Sequence, residues 1–245
     1  MSRKDLAELP DLSSVSVGGD FFCHSNRLAS LKGAPRSVGG TFHCSANQLT
    51  SLAHAPQVVG GDFFCHNNRL TSLQGAPQLA RGSFNCFNNH LTTLEGAPQS
   101  VGSTFSCYGN RLASLEGGPR SVGDHYLCSD NRLTSLAGAP QSVRGSFSCD
   151  HCALTSLEGA PQWVGNGFFC SGNRLTSLGH APQRFRFLES DFGTFNSLNE
   201  VPEDVRYSPE TRARMEQDRI TAAIVLQAPL KVGSPLKLKV WPSRE

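Results

Sequence analysis

Cysteine returns every 21 residues in this chain, at Cys23, Cys44, Cys65, Cys86, Cys107, Cys128, Cys149 and Cys170. A fixed period of this length constrains the fold more than any other feature. Each unit must be one copy of the same supersecondary structure, and each must bury its apolar face against its neighbours. The other positions keep the same beat. An aromatic stands two residues before each cysteine: Phe21, Phe42, Phe63, Phe84, Phe105, Tyr126, Phe147 and Phe168. Asparagine stands three after it, from Asn26 to Asn173, with Cys152 as the one exception. Leucine follows at the fifth and eighth places, as Leu28 and Leu31 do, and proline at the twelfth from Pro35 to Pro182. Eight units without insertion or deletion cover 17–184.

The chemistry of one unit predicts its path. Apolar residues at alternate positions, such as Phe21 and Cys23, make a short strand with one face inward. Asn26 follows where that strand ends. Its amide can turn back onto main-chain groups, and stacked copies can form a ladder. Leu28 and Leu31 fill the interior beyond the bend, Val17 closes the core, and Gly18-Gly19 permits the turn into the strand. The chain holds 24 Gly and 14 Pro with only 38% hydrophobic residues, a balance that could signal disorder. Its 15 Phe and its regular leucines argue for a packed interior instead.

The stretch F-x-C-x-x-N-x-L-x-x-L resembles the second half of the leucine-rich-repeat signature, with Phe and Cys at two usual Leu places. The short spacing, with Pro soon after the second Leu, is similar to bacterial and phage-type repeats. The resemblance implies a repeat solenoid: an arc with a parallel β-sheet on its concave face and an irregular convex side. It also implies a protein–protein interaction role, with a bacterial or phage factor that sequesters or inhibits a partner as one form of it.

Solenoid ends need caps. Residues 1–16 read as an N-terminal cap, with one or two helical turns over Asp5-Leu6-Ala7-Glu8-Leu9-Pro10. Residues 185–207 read as a degenerate ninth repeat, in which Asp191 and Gly193 break the core pattern. Residues 208–245 read as a C-terminal cap. Ser208-Pro209-Glu210 opens a helix to about Leu226, with Met215, Ile220, Ala223 and Ile224 inward. Alternation over Leu236-Lys237-Leu238-Lys239-Val240-Trp241 then predicts a short edge strand. The alternative for this last segment is a docking or oligomerisation element.

Several functions are disfavoured. A net charge of +2 gives little drive toward nucleic acid. The longest apolar run, around Ile220 to Leu226, is far below the roughly 20 residues of a membrane span. The first residues lack the apolar core of a secretory signal, which reads as cytoplasmic, with delivery into a host cell as the alternative brought by the resemblance. Eight of nine cysteines share the inward column and read as reduced core residues in a reducing compartment. Cys149-Asp150-His151-Cys152 has C-x-x-C spacing, but no second pair lies nearby to complete a zinc site. Cys128-Ser129-Asp130 resembles the Cys-x-Asp motif of ubiquitin-ligase effectors, without the long helical domain that motif belongs to. Paired carboxylates, a nucleophile beside a base and a phosphate loop opening a helix are all missing, so the reading is no enzyme and no cofactor.

The outward strand positions are where a partner fits. They carry Phe22, His24, His43, Phe64, His66, Phe87 and Tyr108 in the first five units. Aromatics that no core requires suit an interface centre. One place after each asparagine runs a second column holding Arg27, Arg69, Arg111, Arg132 and Arg174, interrupted by Gln48, His90 and Ala153. The sequence therefore reads as a non-catalytic module that binds another protein through its concave face. The alternatives are a nucleic-acid or phosphate-ligand binder using the arginine stripe, and a structural subunit that associates with itself.

Overall fold

The computed structural model describes residues 1–227, with side chains to residue 218. The chain divides into a compact unit, Met1–Ser208, and a second that begins at Pro209. The first unit is a β-solenoid of stacked parallel strands in which every 21-residue repeat makes one rung. Each rung carries two short strands. One holds the aromatic and the residue after it, as in Phe21–Phe22, Phe42–His43 and Phe63–Phe64. The other lies on the return side, as in Ser16–Val17, Ser37–Val38 and Val58–Val59.

Strands of the first kind join a ten-stranded sheet, parallel except at its last strand. Return-side strands form a six-stranded sheet and, beyond it, a pair made by Ser142–Val143 and Trp163–Val164. The return side was expected to be irregular, and this is a correction. The valine that closes the core is also a strand residue, because its register partner one rung on offers a main-chain ladder there, Val17 opposite Val38. Gly18 and its counterparts do not adopt left-handed backbone. Their role is close approach instead: a Cβ on Gly39 would collide with the carbonyl oxygen of Gly18, one rung below.

The interior is a set of single-residue columns. Phe42, Cys44, Leu49 and Leu52 are fully buried, and their equivalents repeat through the rungs. Rings in the aromatic column stack with centroids 5.1–6.0 Å apart from Phe21 to Phe168. Such pairs add about 0.5–1.5 kcal/mol each beyond simple burial. The residue two places after each cysteine is left-handed, as at Ser25 (φ 53°) and Asn67 (φ 53°), and this bend swings the following asparagine inward. The expected ladder forms. Asn89 Nδ2 donates to the carbonyls of Cys65, Cys86 and Phe87, at 3.2, 3.0 and 3.3 Å. Its Oδ1 accepts the Leu70 N–H at 3.0 Å.

The N-terminal segment is not helical, contrary to expectation. It runs instead as a partial rung. Arg3 N–H donates to the His24 carbonyl and Leu12 N–H to the Gly33 carbonyl, while the Leu6 and Val15 carbonyls accept from Arg27 and Arg36. A helix would have spent these main-chain groups internally and left the edge of the first unit unpaired. At the other end, Phe187–Ser190 continues the sheet in parallel and Gly193–Phe195 folds back antiparallel, burying Leu188 against Phe195. Asp191 and Gly193, which break the repeat, form this reversal. The Asp191 carboxylate accepts the N–H groups of Gly172 and Asn173 at 2.9 and 3.3 Å, closing the last rung. A 3-10 turn, Leu198–Glu200, and a short helix, Glu203–Arg206, follow.

In the second unit a helix spans Pro209–Gln227, starting directly after Ser208 as the sequence predicts. The side chains of Ile220, Ala223 and Ile224, and the strand expected at 236–241, lie outside the described residues. No helix among the described residues is long and apolar enough to cross a membrane.

Candidate functional site

On each strand of the ten-stranded sheet, the residues before and after the inward cysteine project from the outer face. Those two places give two outward columns. The first reads Phe22, His43, Phe64, Asn85, Ser106, Leu127, Ser148, Phe169, and the second His24, Ser45, His66, Phe87, Tyr108, Ser129, Asp150, Ser171. Because the strands are in register, each residue lies beside its counterpart one rung on, about 4.8 Å away.

The seven rings singled out from the sequence form one continuous strip. His24 stacks on His43 at 4.2 Å, with Phe22 edge-on to both. His43 meets Phe64 at 5.2 Å and His66 at 5.8 Å. The strip then crosses to the second column, where His66, Phe87 and Tyr108 stack at 4.2 and 4.5 Å with planes 13° and 9° apart. In this second part the rings cover one another's faces and turn their edges outward. Phe22 is 42% exposed, and the other six are half-buried by their neighbours in the strip.

The three imidazoles are held neutral. Burial, then the neighbouring rings of His24 and His66, push His43 down to about 4. Burial also lowers His66, helped by His24, and it lowers His24, helped by Arg3 and the chain's amino terminus. His43 Nε2 shares a 2.6 Å hydrogen bond with Ser45 Oγ. That pair is no nucleophile–base couple, because Ser45 is buried and a histidine depressed so far is a weak base. The strip is an apolar, uncharged surface at neutral pH.

The arginine column lies one bend away. Arg27 is occupied: its Nε sits 2.6 Å from Asp5 Oδ1. Arg69, Arg111 and Arg132 are exposed. The structure thus gathers the aromatic members of the predicted site into one feature and leaves the arginines as a separate edge. The outward aspartates are largely structural. Asp20 Oδ1 accepts the Thr41 N–H, Asp62 Oδ1 that of Ser83, and Asp150 Oδ1 that of Ser171. Beyond Tyr108 the second column turns polar, and Ser129 Oγ, Ser148 Oγ and Asp150 Oδ2 are linked at 2.6 and 2.8 Å.

Two features escaped sequence reading. Asn85 and Ser106 interrupt the first outward column where the second becomes aromatic, and both carry buried side-chain atoms with no hydrogen-bond partner among the described residues. Their signal was visible as two small polar residues set among rings. The second feature is on the return side, where Val58 and Leu79 are 65% and 50% exposed at a place most rungs give to serine. All nine cysteines are free, and burial raises the column thiols far above their ordinary range. Among the described residues no group of three or more His, Cys, Asp or Glu is arranged to hold a metal ion. No protein-family model matches the chain, and no curated protein matches it either.

Proposed function

We propose that this chain is a non-catalytic, leucine-rich-repeat-type module that binds a partner protein on the outer face of its ten-stranded sheet, the concave face of an arc. The observation that carries the reading is the seven-ring strip. A single exposed aromatic needs no explanation, but a contiguous apolar band along five rungs leaves surface that association would bury. The repeat logic favours the same face. Buried columns are nearly invariant within the chain, whereas the outward pair changes from rung to rung, as a surface fitted to an irregular partner would. Nucleic acid suits the strip less well, since stacking bases needs open ring faces and the rings from His66 to Tyr108 occupy one another's.

The test replaces Phe22, Phe64, Phe87 and Tyr108 together by Ser and compares capture of partners from the lysate of the native host. Capture should be lost, with thermal unfolding within a few degrees of the parent, because none of the four lies in the core. Undiminished capture by the variant would place the binding surface elsewhere.

A further inference from the structure

Three polar atoms at the centre of the outer face are buried and have no hydrogen-bond partner among the described residues: His66 Nδ1, Asn85 Oδ1 and Ser106 Oγ. Asn85 and Ser106 are register partners on adjacent strands, and the ring of His66 belongs to the strip one rung earlier. Ser106 is only 3% exposed although it projects outward, and Phe87 and Tyr108 stand two residues along the same two strands. Unpaired polar atoms cost a protein stability unless something satisfies them. Three together, beside the aromatic strip, point to a ligand that completes them.

We propose that these three atoms are the hydrogen-bonding part of the binding strip, and that they receive an uncharged amide from a peptide segment of the partner. The proposal rests on the protein-binding reading above and names the chemistry of what binds. Asn85 Oδ1 can only accept, so the incoming group must bring an N–H or O–H. Carboxylates and phosphates bring none. A cation would bring donors, but burial at this place already disfavours positive charge, as the lowered imidazole of His66 shows. An amide carries one donor edge and one acceptor edge, so it can bond Asn85 and Ser106 together across adjacent rungs. Exchanging Oδ1 and Nδ2 of Asn85 reverses the requirement to an acceptor, which the carbonyl edge of the same amide supplies. The ring edges from His66 to Tyr108 carry partial positive charge, which favours carbonyl oxygens and aliphatic groups against them. Main-chain amides and the side chains of Asn or Gln share this chemistry.

The probe is a library of random 12-residue peptides selected on the full chain at neutral pH. Selected peptides should be apolar and uncharged at their core. Their affinity should fall about tenfold for Ser106→Ala and for Asn85→Leu. Both variants should unfold at the same or a higher temperature than the parent, since each removes an unsatisfied buried group, and a structural role would lower it instead. Asn or Gln recurring at one peptide position assigns the amide to a side chain. Loss of binding on N-methylation of one peptide bond assigns it to the main chain. Peptides that need Phe87 and Tyr108 but bind both variants unchanged would overturn the amide site while leaving the protein-binding reading intact. Selection of acidic peptides, or of none, would also overturn it.

Discussion

Seven of the eight inward aromatics are phenylalanine, and the sixth is Tyr126. Its ring is fully buried, with centroids 5.1 Å from Phe105 and 5.3 Å from Phe147. Its hydroxyl has no hydrogen-bond partner among the described residues. The place just before the repeat proline is alanine in every unit but one, where it is Gly118. A Cβ there would stand 3.0 Å from the Tyr126 hydroxyl and 2.9 Å from Leu94 Cδ1. The phenol oxygen and the missing methyl thus compete for one space, and the chain has lost a methyl where it gained a hydroxyl.

Tyr126→Phe should therefore stabilise the protein. Relief of an unpaired buried hydroxyl is worth roughly 1–3 kcal/mol, and the void left by one oxygen takes back well under 1 kcal/mol. Gly118→Ala in the parent should destabilise by about 1–3 kcal/mol through overpacking. In the Tyr126→Phe background the same change recreates what the other rungs contain. Gly118 is not in the left-handed region, so alanine there should gain about 0.4–1 kcal/mol by restricting the unfolded chain. The double-mutant cycle should then show coupling of at least about 1.5 kcal/mol. Urea unfolding followed by circular dichroism measures all four corners, with equal slopes required because repeat arrays can lose cooperativity. Destabilisation by Tyr126→Phe, or a Gly118→Ala effect equal in both backgrounds, would refute the reasoning.

Two more outcomes follow from the same columns. Asn89→Ala should destabilise by about 3 kcal/mol or more, because it strands several buried main-chain groups that Asn89 now serves. Cys152→Asn should instead stabilise by about 1 kcal/mol: the Cys152 thiol donates weakly, at 3.5 Å to the Asp150 carbonyl and 3.8 Å to that of Cys128, where the other rungs have an amide. Stability should also depend on pH through the imidazole strip. His24, His43 and His66 are depressed in the folded chain, His43 to about 4, while unfolded histidines titrate near 6.5. Below about pH 6.5 the unfolded state binds more protons, so stability should be flat above that value and fall as pH drops toward 4. His43→Gln should flatten the slope between pH 6.5 and 5 in chemical denaturation, and an unchanged slope would remove the histidine from this account.

The fold was legible because its determinants are periodic. Phe42, Cys44, Asn47, Leu49 and Leu52 each recur in the same environment, so one unit read correctly places all eight. The return-side strand was missed because two residues, such as Ser37 and Val38, are too few to show alternation. Only the register of neighbouring rungs makes them a strand. The helical turns expected over Asp5 to Pro10 were misread for a related reason. Local propensity over Asp5 to Pro10 favours a turn of helix, but the unpaired edge of the first unit offers main-chain partners that outweigh it.

The candidate site was legible only in part, and the reason lies in how a parallel ladder treats its two faces. Inward, a residue must match its neighbours above and below, so departures are rare, and one of them, Tyr126, is matched by a second at Gly118. Outward, the backbone imposes almost nothing. Asn85 and Ser106 could have been any residues that tolerate a strand, and their place in a column said nothing about their unpaired atoms. That property depends on which neighbours cover them, and no single column reports it. Rings can be read from composition as an apolar band, but a buried hydrogen-bonding demand is a relation among four side chains on two strands. In a solenoid, then, the invariant columns specify the scaffold, and the outward breaks in a column, weighed against their neighbours on the adjacent rung, are where binding chemistry should be sought.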